Sequence, residues 1–258
     1  MFDNISTAKA VSRWSNLGVK LPKELTTAIE VFEAILWVET GHAVEFDLTD
    51  ITAANAEEKV VEFANRLVPA LKAGDHPGRS PLDEAKHRML EAAARDVLAK
   101  ATAAVPVVID RLTPEFDKHA AAYTAAVADL PDTVDPDSLV QAGPAALTAY
   151  GTAQAEAVWL NQVSSWVAGT RDLPGFTGHD VEVPLRILRP ADAIQLAKLD
   201  AAQHANVNQT LGALNKVFYT AAREGIEFGI NTLRECAEIR RSLAITPQNI
   251  SSRVTMVR

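Results

Sequence analysis

Between Pro190 and Pro247 the chain carries no proline, a run of 56 residues. Proline is the strongest helix breaker, so the spacing predicts a helix over 190–243. Unbroken, that helix would measure about 80 Å at ~1.5 Å rise per residue, longer than a compact domain can enclose. Either it projects toward another molecule, or it breaks at Gly212, Gly225 or Gly229. Val207, Leu211, Leu214, Phe218 and Ala221 share one face, and Ile226, Ile230, Leu233 and Ala237 resume that face one step out of phase. The stripe is too short and too irregular for a coiled coil. Gly225 and Gly229 lie one turn apart: a neighbouring backbone approaches closely there, or the two simply weaken the helix.

The remaining prolines act as helix starts. Ser80-Pro81-Leu82-Asp83 combines a capping serine, a first-turn proline and an early carboxylate, and Leu21-Pro22, Thr113-Pro114 and Arg189-Pro190 follow related grammar. Alanine fills 44 of 258 positions against 12 Gly and 13 Pro, which favours helix throughout. The expected fold is all-α: an elongated multi-helix bundle with helices near 5–17, 22–38, 53–73, 81–112, 114–129, 144–168 and 190–243. Val60, Phe63, Ala64, Leu67 and Leu71 describe a buried stripe on the third, with Glu57, Glu58, Glu62 and Arg66 on its wet face. Pro106 is expected to bend or interrupt the fourth. Residues 44–48 and 181–187 alternate apolar with polar, either as extended loops or as two short strands paired with one another. The chain divides into an N-terminal helical region (1–130), a helix flanked by linkers (131–180) and the long helix with a basic tail (181–258), the three forming one structural unit.

Charge is unevenly spread. The formal net charge is -8, and residues 24–58 hold nine carboxylates with no Lys or Arg. Like charges at that density repel unless bases lie beside them. The basic ends of the chain can serve within one molecule, or can meet the acidic region of another subunit head to tail; a solvated acidic face is the third possibility. An acidic protein with a few dispersed bases makes nucleic acid an improbable partner. Cys236 stands alone, so no internal disulfide or cysteine-rich metal site forms, and a reducing cytoplasm, or a particle assembled there, is the expected compartment. No apolar run approaches a membrane span, and residues 1–23 lack the apolar stretch of a secretory signal.

No constellation specifies a chemistry. Glu39-x-x-His42 and Glu84-x-x-His87 match the spacing of carboxylate-bridged metal bundles, but the two further core glutamates are not marked. The sequence therefore assigns no catalytic residue, cofactor or metal ligand. Trp159 and Trp166 lie seven apart on one helix with Asn161, Gln162, Ser164 and Ser165 between them, which suits an interface or an ordinary core. Trp14 and Trp37 are expected to anchor the first two helices to each other. Candidate interaction residues are Trp159, Trp166, Leu211, Phe218, Gly225, Gly229, Arg240 and Arg241. The expectation is a non-enzymatic structural or assembly protein, of the kind found in phage or bacterial particles, acting as a homo-oligomer or on a protein partner. The competing expectation is a helical-bundle enzyme or small-molecule or metal-binding protein using residues 24–58 with His42, His76 or His87.

Overall fold

The computed structural model describes residues 3–39, 51–52, 54–67, 80–176 and 182–244. The chain is an all-α, multi-helix protein with one minor two-stranded sheet. It splits into two compact units: Met1–Arg13 with Leu21–Ala103, and Trp14–Lys20 with Ala104–Arg258. The division falls inside a helix, not in the proline-rich segment near residue 135.

In the first unit, α1 (Asn4–Ser12) is capped by Asp3, whose carboxylate accepts from the Ile5 N–H at 3.3 Å. It packs on α2 (Lys23–Leu36), which buries Leu25, Ala28, Ile29 and Phe32 at helical spacing. Next comes α3 (Ala56–Leu67). The last contributor is the start of α4 (Pro81–Ala128), where Ser80 and Asp83 cap each other: the Asp83 N–H reaches Ser80 Oγ, and the Ser80 N–H reaches Asp83 Oδ2, both at 3.1 Å. Leu90, Ala94, Val97, Leu98 and Ala101 of α4 are buried here.

In the second unit α4 continues to Ala128, through both Pro106 and Pro114. The expected break between 112 and 114 is absent for a geometric reason. Both prolines sit on the exposed face, while Val105, Val108, Leu112, Phe116, Ala120, Tyr123 and Val127 keep an unbroken buried spine beneath them. The expected linker after residue 130 is packed: Leu130, Val134 and Leu139 are buried, and α5 (Pro136–Ala142), capped by Asp135, lies on α6 (Pro144–Gly169). Helix α6 buries Ala146, Ala149, Ala153 and Ala157, then Leu160, Val163, Trp166 and Val167.

The predicted 190–243 helix does not exist as one rod. It is α7 (Ala193–His204), α8 (Gln209–Ala213), α9 (Lys216–Arg223) and α10 (Leu233–Leu243), with a strand between the last two. The breaks come from side chains that compete for backbone N–H groups. Asp192, Asn208, Asn215 and Thr232 each cap the helix that follows, the last in a reciprocal box with Glu235. Of the three glycines expected to break the rod, Gly212 lies within α8, whereas Gly225, with φ +64°, ends α9. There the Ile226 N–H reaches back to Ala221 O at 2.9 Å, the left-handed stop that glycine favours.

The expected strand pairing is also revised. Residues 44–48 and Val181 lie outside the described residues, and Pro184–Arg186 forms a 3-10 turn. The sheet instead pairs β1 (Leu188–Arg189) antiparallel with β2 (Glu227–Phe228), Leu188 opposite Phe228. Both strands are two residues long, and the side chains around them hold the pairing.

Candidate functional site

Asn231 is that holding side chain. It is buried, and its amide donates to Leu185 O (2.7 Å) and Leu188 O (3.1 Å) while its Oδ1 accepts from Arg189 Nε (2.8 Å). Its own N–H reaches Arg186 O at 2.9 Å. Arg189 Nη2 adds a bond to Ile230 O at 3.0 Å, which lays the guanidinium against Gly229. A Cβ there would stand 2.7 Å from Arg189 Cζ, so Gly229 accommodates a close approach, by a side chain and not by a second backbone.

A second polar lattice ties α10 to α7. Arg240 binds Asp200 through two bonds (2.5 and 2.9 Å) and Glu182 through two more (3.0 and 2.6 Å), and these partners raise its pKa, the Asp200 bonds most. Arg240 is thus committed inside the unit; its neighbour Arg241 is exposed. Beneath the lattice, Leu185, Leu196 and Cys236 form an apolar cluster with Ile239 and Leu243. Burial pushes the Cys236 thiol up to about 12, and its Sγ–H donates to Leu185 O, so it is a packed thiol, not a nucleophile. Arg186 is half-buried, which lowers its pKa, and its Nε has no partner among the described residues.

The aromatic candidates separate. Phe218 is interior, in edge contact with Tyr123 and Phe228, while the Tyr123 hydroxyl, its pKa raised by burial, donates to Leu214 O at 2.8 Å. Trp166 is also interior, edge-on to Trp14 at 5.5 Å. Trp14, expected to anchor the first two helices with Trp37, packs on α6. Trp159 is half-buried and stacks on His119 at 4.0 Å; both His119 nitrogens face carboxylates, Nδ1 toward Glu156 and Nε2 toward Glu115 at 3.3 Å. Leu211 is half-buried and Gly225 exposed.

A groove opens on the surface of the second unit. About 480 Å³ in volume, it is lined by Asn16 and Leu17 on one side and by Val158, Asn161, Gln162 and Ser165 of α6 on the other. Trp159 and Trp166 do not line it; of the four polar residues between them, Asn161, Gln162 and Ser165 do, and Ser164 is buried.

The first unit differs in character. Trp37, at the end of α2, is 78% exposed, with Val38 beside it at 46%. The stripe expected to be buried on α3 is only partly covered: Val60 (66%) and Ala64 are exposed, Phe63 and Leu67 are half-buried, and Leu71 lies outside the described residues, while Val61 beside the stripe is 55% exposed. Glu30, Glu33, Glu57, Glu58 and Glu62 are exposed in the same unit. The sequence hint for this surface was the amphipathic pattern of α3, read as a core face.

Of the two Glu-x-x-His pairs, Glu84 and His87 alone fall wholly within the described residues. His42 lies outside the described residues, Glu84 receives Arg88 Nε at 2.7 Å, and His87 turns instead to Glu91 at 3.4 Å. Among the described residues, no group of three or more His, Cys, Asp and Glu side chains is placed to hold a metal ion, and no helix is long and apolar enough to cross a membrane. The chain matches no protein-family model, no curated protein and no solved structure.

Proposed function

We propose that the chain is a non-enzymatic structural or assembly protein that associates with further copies of itself through the apolar surface of its first unit. Trp37 carries this reading. An indole left largely in water at the end of an otherwise well-seated helix forgoes about 25 cal/mol for each Å² it could bury, and tryptophan is the residue most enriched at the energetic centres of protein interfaces. Val38 beside it and the exposed valines of α3 add apolar surface in the same unit. The exposed glutamates there set the sign of the salt response: between like copies they repel, so added salt tightens the association. A head-to-tail contact of acidic and basic ends would weaken instead.

Sedimentation velocity of the full chain over a concentration and salt series tests this. The expected result is a defined oligomer that tightens with salt and reverts to monomer in the double variant Trp37→Ser, Val60→Ser, while Arg241→Ala leaves it unchanged. A parent chain that stays monomeric throughout the series would contradict the proposal.

A further inference from the structure

Asn215 is the one non-glycine residue with positive φ (+60°) among the described residues, and strain of this kind is kept where it serves a purpose. Its Oδ1 is committed to the start of α9, accepting from the N–H groups of Val217 (3.1 Å) and Phe218 (3.4 Å). That commitment fixes which end of the amide is nitrogen, and Nδ2 points at Asn161, donating to its Oδ1 at 2.9 Å. The orientation of Asn161 is thereby fixed in turn: its oxygen is used, and its own Nδ2 is presented at the groove wall.

The rest of the groove matches this arrangement. Among the described residues, Asn16, Gln162 and Ser165 have no side-chain hydrogen-bond partner, although Thr148 on the same helix turns its hydroxyl back to Pro144 O at 3.0 Å. No lining residue is charged, so a charged group entering the groove would find no counter-charge there. From Val158 to Ser165 the wall extends about 10 Å along α6 at ~1.5 Å per residue, the length of about three residues of extended peptide at ~3.3 Å each. A side-chain amide offers both a donor and an acceptor, as a peptide unit does, while Leu17 and Val158 supply aliphatic contact. No aromatic ring, the usual platform for a sugar, lies in the lining.

We infer that this groove binds a short, uncharged, extended peptide segment of a protein partner, reading its backbone through the amides of Asn161, Gln162 and Asn16, with Asn215 as the positioning residue that sets Asn161. The inference stands whether or not the first unit self-associates. The test is a titration of the ¹⁵N-labelled full chain with N-acetyl-Ala-Val-Ala-N-methylamide, following the side-chain amide resonances of Asn16, Asn161 and Gln162. Saturable shifts of these resonances are expected in the parent. In Asn161→Asp the remaining oxygen still accepts from Asn215, but an acceptor replaces the groove-facing donor, and binding is expected to weaken by about tenfold or more. In Asn215→Gly, which fits the backbone but frees Asn161, a smaller loss is expected. The backbone resonances of Val163 and Val167 report that each variant is folded. The inference is overturned if the peptide produces no saturable shift, if Asn161→Asp binds it as well as the parent does, or if xylotriose moves these resonances and the peptide does not.

Discussion

Helix α4 contains two prolines and runs unbroken for 48 residues, whereas the stretch from Ala193 to Leu243 contains none and is cut into four helices and a strand. The contrast shows that the face on which a fault lies matters more than the fault itself. In α4 both prolines fall on the wet side, and the buried spine beneath them is continuous. In the terminal stretch, side-chain oxygens of Asp192, Asn208, Asn215 and Thr232 take backbone N–H groups that a continuous helix would need, and α7, α9 and α10 each turn buried apolar residues back onto the unit. Most of a stripe that looked long enough to project is thereby buried within its own unit: Leu214, Phe218, Ala221, Ile226, Ile230 and Leu233 are interior, Leu211 and Ala237 are half-buried, and Val207 is exposed.

The largest effect that would break this contrast is at Asn231. Asn231→Leu leaves two carbonyls and the Arg189 guanidinium without their partner, and a loss of about 4 kcal/mol in urea unfolding is expected. A loss under about 1 kcal/mol would show that the short strands do not depend on this amide. In α4 the expected sign is opposite. Pro106→Ala removes a helix-interior proline at an exposed position, and after allowing for the more flexible unfolded chain it should stabilise by about 2 kcal/mol. Destabilisation by this variant would mean that the proline has a packing role its exposure does not suggest.

The smallest effect concerns pH and the seating of α10. The Cys236 thiol ionises only near 12 in the folded chain, against an ordinary value near 9, so the fold favours the protonated form. Its contribution is complete below pH 9 and is lost as pH rises toward 12. Between pH 8 and pH 10 that loss is about 1 kcal/mol, and it is expected in the parent but not in Cys236→Ala. Equal slopes for the two proteins would place the thiol in water and leave α10 less firmly seated.

Much of the architecture was legible in the residues. The start of α4 at Ser80-Pro81, the span of α6 and the apolar face of α2 all follow from local chemistry, because caps, prolines and a 3.6-residue stripe act over one or two turns. The breaks at Asn208 and Asn215 are equally local, but they are set by asparagine caps and not by the glycines that helix propensity singles out. Other features are not local at all. The bonds from Asn231 to Leu185 and Leu188 join residues more than 40 positions apart, and the groove sets Asn16 opposite Gln162. Periodicity carries no trace of such pairings. The α3 pattern was legible, but its meaning was not: an amphipathic stripe looks the same whether it is covered by its own chain or left for another.

Hydrogen exchange of the full chain, followed by mass spectrometry at a low and a high protein concentration, tests the central claim most directly. The account predicts that peptides covering residues 31–39 and 56–67 gain protection as concentration rises, while those covering 193–243 exchange alike at both. Protection gained along 193–243, with none in the first unit, would contradict it.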